Sequence, residues 1–319
     1  MKVAVLGVGL IGGSIGLAAR RRTGAHVVGY DREASALSSA VELGAIDEPA
    51  FAVSDAVREA DVVFIATPVG MATDTALLAL EAAGSECVLS DVGSTKRAIV
   101  GAISDPRFVG GHPLAGAETA GVASAREDLF EGATWYLTPA AGAAWSAAGA
   151  GSPSAGSKET GEGAGAAEAP IDAAPWAVER LRGFIERIGG QPAAIAPDAH
   201  DRLMASVSHL PHVLANVLVG QAVRSIESDE TPLDPDAPLG AGPSFRDGTR
   251  VAGANTAIWT DIYLSNRDLL VETLDGAIRD LSAVRDALRT GDARRLADWN
   301  EQARAELARL RQAGLVSGS

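Results

Sequence analysis

The chain has 319 residues, 47% hydrophobic and 21% charged, a balance that excludes wholesale disorder and provides enough apolar side chains for two packed domains. Its 27 basic and 41 acidic residues leave a formal net charge of −14, so the surface is not built to bind nucleic acid or an anionic membrane. The single cysteine, Cys87, excludes an intrachain disulfide framework and a Cys-based zinc site, and the reducing cytoplasm is the compartment expected for such a chain.

Lys2–Leu6 reads as a short buried strand, residues 7–13 as a turn, and residues 14–22 as a helix. Glycines interrupt this first apolar run and the Arg20–Arg22 cluster follows it, the reverse of a secretory signal. His26–Tyr30 is a second strand and residues 33–43 a helix. Further strands are expected at 61–66, 87–90, 108–110 and 135–138. Strands alternating with helices predict a parallel sheet covered on both faces, an α/β Rossmann-type nucleotide-binding domain.

Residues 140–170 are almost entirely Ala, Gly, Ser, Glu and Pro, and read as a flexible insertion. Helical spacing returns at 175–188, and 191–195 closes the sheet. From Pro197 the pattern is helical, over 198–228, 255–289 and 292–312, with a Pro/Gly/Asp-rich loop at 228–248. No stretch has the roughly 18 uninterrupted apolar residues of a membrane span; residues 210–223 come closest and contain His212, Asn216 and Gln221. The expected division is therefore an α/β domain over 1–196 and an all-α domain over 197–319.

Gly7-Val8-Gly9-Leu10-Ile11-Gly12 matches G-x-G-x-x-G, with a strand before it, a helix after it and Asp31 nineteen positions beyond the last glycine. The first glycine permits the turn, the second a close approach of pyrophosphate, and the third tight helix–strand packing. Asp31 suits the ribose hydroxyls of NAD and repels a 2′-phosphate. Arg32 either stacks on adenine or contacts that phosphate, so NADP stays open. Thr67 and Pro68 end the third strand at the edge where a dinucleotide passes.

Asp91-Val92-Gly93-Ser94-Thr95-Lys96 and the Gly110–Glu118 segment follow two later strands and fall at the same edge. His112, between glycine and proline, is expected on a loop that presents its imidazole for proton transfer near neutrality. Ser208-His209-Leu210-Pro211-His212 puts two imidazoles on one helix face without a third ligand for a metal, and Pro211 is expected to kink that helix. Phe245–Arg250 ends the Pro/Gly loop with two guanidinium groups, a carboxylate clamp in form.

Taken together, VLGVGLIGGSIG, DVGSTK, GGHPLAGAETAGV, SHLPH and SFRDGTRVAG…IWTDIYLSN resemble the prephenate dehydrogenase family, in order and spacing, from Lys2 to about Asp268. The insertion at 140–170 departs from the compact form, and little length remains after the match for the ACT-type regulatory domain of some members.

The resemblance implies NAD(P)-dependent oxidative decarboxylation of prephenate to 4-hydroxyphenylpyruvate and CO2, in tyrosine biosynthesis. By motif match, His112 takes the proton of the ring hydroxyl and Ser94 holds either His112 or that hydroxyl. Arg250 binds a substrate carboxylate, His212 and Ser208 line the pocket, and Glu118 and Asp247 gate or support it. Trp259 is either a pocket wall or a core aromatic. A homodimer joined through the helical domain is also implied.

Two enzymatic alternatives share the architecture. An arogenate dehydrogenase performs the same chemistry on a substrate with an amino group in place of the side-chain keto group. A 3-hydroxyacid dehydrogenase usually relies on a lysine in the helical domain, and no lysine follows Lys158 here. A non-catalytic NAD sensor on the same scaffold would be expected to lack the histidine or the arginine.

Overall fold

The computed structural model describes residues 1–116, 119–139, 173–227 and 240–314. The 140–170 insertion therefore lies outside the described residues, as does Glu118. The chain divides into two compact units, Met1–Arg267 and Asp268–Ser319.

The first unit opens with β1 (Lys2–Leu6), α1 (Leu10–Ala18), β2 (His26–Tyr30), α2 (Ala34–Leu43), β3 (Glu48–Ala50), α3 (Val53–Val57), β4 (Val62–Ile65), α4 (Val69–Ala82), β5 (Val88–Asp91) and α5 (Arg97–Ala102). Its five strands form an all-parallel sheet in the order β3-β2-β1-β4-β5. Both faces are covered, and the period-2 alternation of the strands shows it. Val3, Val5, Val62 and Phe64 enter one core, while Ala4, Leu6, Val63 and Ile65 enter the other.

A second sheet follows, of β6 (Gly110–Pro113), β7 (Thr134–Thr138) and β8 (Gln191–Ala194), with α6 (Pro175–Arg187) between the last two. Phe108 pairs with Leu89 in parallel, so the approach to β6 runs alongside β5 and β6 ends beyond the carboxyl end of β5. Phe64 ties the two sheets together, with ring centroids 6.0 Å from Trp135 and 5.3 Å from Phe184. Cys87 lies buried before β5, and burial pushes its thiol pKa up to about 12.

The expected loop around His112 is instead strand β6, with His112 opposite Tyr136 on β7. Hydrogen bonding to a neighbouring strand settled what glycine content alone left ambiguous. The first helix also begins earlier than expected, at Leu10, because the glycine turn needs only three residues. The short edge strand β3, Glu-Pro-Ala, carries no apolar alternation and was not foreseen.

Among the described residues, the first unit after β8 is built of α7 (Pro197–Met204), α8 (Leu210–Glu227), α9 (Pro243–Thr249) and α10 (Thr256–Ser265). Helix α9 starts inside the expected 228–248 loop, with Pro243 at its first turn, and residues 228–239 of that loop lie outside the described residues. A π-helical turn, Ala205–His209, joins α7 to α8. Pro211 has no N–H to return to the preceding turn, and the wider turn sits just ahead of it. Pro197–Glu227 is long enough, and contains an 18-residue window apolar enough at a mean hydropathy of 1.3, to cross a bilayer by length and composition. It nevertheless carries buried His200, Asp201, His209 and His212.

The expected continuous helix over 255–289 is broken at Asn266, whose side chain is fully buried and hydrogen-bonded inside the first unit. Beyond it run α11 (Arg267–Thr290) and α12 (Ala293–Gln312). Gly291, at a φ of +66°, makes the turn between them, and the Asp292 side chain caps α12 by accepting from the Arg295 amide at 3.0 Å.

Candidate active site

The three glycines of the first turn meet three different demands. Gly7 has a φ of +99°, and a Cβ there would lie 2.6 Å from the Ala66 carbonyl oxygen. A Cβ on Gly12 would lie 1.9 Å from the Gly7 carbonyl oxygen, so that contact admits only glycine. A Cβ on Gly9, by contrast, would meet nothing within 4 Å, and Gly9 is the N-cap of α1. The open space at Gly9 and the free amides behind it, including those of Leu10 and Ile11, fit a pyrophosphate.

Asp31 follows β2 and is already oriented. Its carboxylate accepts the Val8 amide at 3.0 Å and the Glu33 amide at 3.0 Å. Remaining lone pairs are left for ribose hydroxyls. Arg32 beside it is exposed. Across the edge, Pro68 is the N-cap of α4, and the buried Thr67 hydroxyl has no hydrogen-bond partner among the described residues. An orphaned hydroxyl at the carboxyl edge of the sheet fits a ligand that supplies the missing bond.

His112 sits on the same edge, and its surroundings are polar and buried. The Asp91 carboxylate accepts the Gly111 amide at 3.1 Å and the Gly93 amide at 2.8 Å, and pairs with the fully buried ammonium of Lys96. Burial lowers the Lys96 pKa, against the opposing pull of Asp91. A Cβ on Gly111 would lie 2.5 Å from the Ser90 hydroxyl, so glycine is what lets β6 pass this close to β5.

The His112 Nδ1 lies 2.9 Å from His200 Nε2, and His200 Nδ1 lies 2.8 Å from an Asp201 carboxylate oxygen. Asp201 in turn accepts the backbone amides of Lys96 at 2.7 Å and Arg97 at 2.9 Å. Burial pushes the Asp201 pKa up, but hydrogen bonds from His200, Arg97 and Lys96 outweigh it and the carboxyl sits below its ordinary value. The His112 pKa lies well below its ordinary 6.5, chiefly through burial and then through His200, Lys96 and His209. Sequence reasoning missed His200 and Asp201. They sit one turn into a helix, and only the folded chain brings them to β6.

His209 and His212 both face Trp259 of α10. The His212 ring stacks on the indole at 3.6 Å with planes 7° apart, and His209 meets it edge-on at 6.2 Å. Trp259 is thus an aromatic wall beside the two imidazoles, half-buried rather than sealed in a core. His212 Nδ1 also bonds the Tyr263 hydroxyl, and the Val251 backbone hydrogen-bonds the same ring. The Asn266 amide reaches the His209 Nδ1 at 3.2 Å, and burial lowers the His209 pKa to about 4.

Ser94 lies half-buried in the turn after β5, and among the described residues the Nδ1 bond of His112 goes to His200 rather than to it. Ser208 is half-buried in the π turn. Arg250 is exposed and opens a 3₁₀ turn, Arg250–Gly253, that packs on α8, the helix bearing His212. Asp247 is exposed on α9, which also packs on α8.

Two family models match the chain, the prephenate dehydrogenase nucleotide-binding domain over residues 15–147 and the prephenate dehydrogenase dimerization domain over residues 196–302. The chain belongs to the prephenate dehydrogenase family. The 3-hydroxyacid dehydrogenase alternative is thereby set aside, and the family's members are oxidoreductases.

A prephenate dehydrogenase of Bacillus subtilis is 34% identical over 304 residues, which covers 92% of this chain and 72% of that one. The structure of the A. aeolicus prephenate dehydrogenase, in complex with hydroxyphenyl propionate and NAD+, superposes with a TM-score of 0.78 at 26% identity, covering 97% of this chain and 98% of that one. A Synechocystis arogenate dehydrogenase is similar too, with a TM-score of 0.71 and 26% identity over 97% of this chain and 99% of that one.

Proposed function

We propose that this prephenate dehydrogenase family member converts prephenate, with NAD, to 4-hydroxyphenylpyruvate and CO2, using His112 as the proton acceptor. One observation carries the assignment. His112 is a buried imidazole, anchored through Nδ1 by His200, at the same sheet edge as the glycine turn and Asp31. The A. aeolicus relative, similar over nearly its whole length, holds NAD+ and a hydroxyphenyl ligand together.

Gly7, Gly9 and Gly12, the amides of Leu10 and Ile11, and Asp31 would hold the dinucleotide, with Arg32, Thr67 and Pro68 along its path. Bound there, NAD supplies the hydride acceptor. His112 takes the proton of the ring hydroxyl as hydride leaves the carbon that bears it. The ring carboxylate departs as CO2, its bonding electrons completing the aromatic ring, and the proton held on His112 returns to the phenolate oxygen, so the chain has mainly to orient the substrate and carry that proton. Ser94, not bonded to His112, is left to bind the same hydroxyl. Arg250 binds a substrate carboxylate, His212 and Ser208 line the pocket with Trp259, and Glu118 and Asp247 support or gate it.

Asp31 favours NAD over NADP, because a 2′-phosphate would meet its charge. The helical portion from about residue 197 is the part that would pair two subunits, consistent with the dimerization-domain match. The apolar side chains exposed on α8, Val217, Leu218, Val223 and Ile226 among them, then face a second copy rather than lipid. The cytoplasm is the compartment this activity and the single reduced cysteine fit.

The likeness to an arogenate dehydrogenase favours a second reading, the same chemistry on arogenate. Rates with prephenate or arogenate, each with NAD or NADP, decide between them. NADH and 4-hydroxyphenylpyruvate should form fastest from prephenate and NAD. Turnover of arogenate alone would transfer the assignment to that substrate.

A further inference from the structure

The chain of contacts behind His112 has a direction, and its direction can be read from the end that has no choice. Asp201 is fully buried, and among the described residues its two oxygens accept from the Lys96 amide, the Arg97 amide, the Arg97 guanidinium at 3.4 Å and His200 Nδ1. A carboxylate so surrounded accepts every bond. His200 must therefore carry its proton on Nδ1, and a neutral His200 offers a bare Nε2 to its neighbour. His112 Nδ1, 2.9 Å away, is then the donor of that bond and carries a proton. The remaining nitrogen of His112, Nε2, holds an open lone pair.

We propose that His200 and Asp201 are positioning residues that lock His112 in the Nδ1–H tautomer, present its Nε2 as the proton acceptor, and connect the imidazolium it becomes to a buried carboxylate. The proposal rests on the assignment of His112 as the base. In the step itself the proton of the substrate hydroxyl moves to His112 Nε2, and the two bonds behind it keep their protons. The positive charge gained is held by a neutral imidazole whose far side faces the Asp201 charge, the logic by which a buried acid orients a catalytic imidazole elsewhere.

The backbone amides of the first turn of α5 hold Asp201 in place, so orientation of the base is inherited from the junction of α5 with α7. The other ionisable groups around His112 are Lys96, whose ammonium is paired with Asp91, together with His209 and Tyr136. Burial, His200, Lys96 and His209 disfavour the imidazolium, and the Asp201 carboxylate, bonded to the far side of His200, is the group placed to offset them.

The test compares His200→Leu with His200→Gln in the intact protein, with NAD affinity and circular dichroism as controls for folding. Leucine leaves His112 Nδ1–H without an acceptor. Glutamine offers its carbonyl oxygen to that proton but breaks the link to Asp201. Leucine should lower kcat by roughly 10²–10³-fold, the range of a disturbed acid–base group, with the KM for prephenate little changed. Glutamine should restore about tenfold of that loss, as expected for regaining one hydrogen bond to a group that becomes charged. In the glutamine variant the acid limb of kcat/KM should move to lower pH, because the imidazolium has lost its carboxylate. A merely structural role would move none of that limb.

The unaltered protein gives an independent readout. Two-bond 15N–1H spectra of its five histidines should show His112 protonated at Nδ1 and bare at Nε2 near neutral pH. A proton on His112 Nε2, or kcat within twofold of the parent in both variants, would overturn the relay. Should the leucine variant fail to fold, the glutamine variant and the spectra decide. If His112→Asn abolishes turnover while His200→Leu does not, only the relay falls. If His112→Asn itself keeps its turnover, the assignment of the base falls first.

Discussion

At the scale of single residues, function divides into groups that act in the chemical step and groups that hold the substrate, and kinetics separates them. His112→Asn should reduce kcat by about 10²–10⁴-fold while leaving prephenate affinity nearly intact, because proton transfer is lost and binding contacts are not. Arg250→Ala should do the opposite, raising KM with a smaller change in kcat, since a charge-assisted contact to a carboxylate exists before and during reaction. An unaltered KM would remove Arg250 from the clamp. Asp31→Asn should narrow the preference for NAD over NADP, measured as the ratio of the two kcat/KM values, since the charge that repels a 2′-phosphate is gone. The depressed His112 pKa gives the pH profile its shape. With His112 as the proposed base the neutral imidazole would be the active form, so kcat/KM should stay level as pH falls past the ordinary histidine value of 6.5 and drop only further into acid.

Whole elements decide how these side chains meet. Phe64 packs between Trp135 of β7 and Phe184 of α6, so Phe64→Ala should cost about 3–5 kcal/mol and lower the thermal midpoint through the cavity left between sheet and helix. The α7–α8 region adds a pH dependence. His209 titrates near 6.5 when unfolded and at about 4 when folded, so the unfolded chain binds more protons between these values. Stability from this group is complete above 6.5 and is lost as pH falls toward 4. Melting scans across that window should show a steeper decline in the parent than in His209→Gln.

Much of this architecture was legible in the residues. The glycine turn, the apolar strands β1 and β2, and the order of motifs place the nucleotide edge from the residues alone. What escaped was set by tertiary partners. Strand β6 is two glycines, a histidine and a proline, a composition that says turn until β7 pairs with it. The break at Asn266 lies within continuous helical spacing and is explained by the bonds its buried side chain makes to the Asp201 carbonyl, His209 and Arg97. His200 and Asp201 occupy a helix start that reads as ordinary, 88 residues from the imidazole that His200 touches.

On the scale of the whole molecule, the exposed apolar surface bears on how many chains make one enzyme. The apolar side chains left exposed on α8, and those on α11 and α12 such as Ile278, Leu281, Leu288 and Trp299, are more than a solitary soluble chain normally leaves in water. Light scattering after size exclusion should give about twice the 32.5 kDa of one chain. Val217→Glu together with Val223→Glu should shift the mass toward a single copy, whereas a parent that elutes as one copy at micromolar concentration would remove the dimer. The grip of Asp201 on the start of α5 has a mechanical corollary. The seam between sheet and helices is stitched by the same carboxylate that is proposed to aim His112, which ties this junction to the site. The main-chain protons of Lys96 and Arg97 are therefore natural clocks, and in deuterated water they should be among the last of the first unit to trade places with solvent.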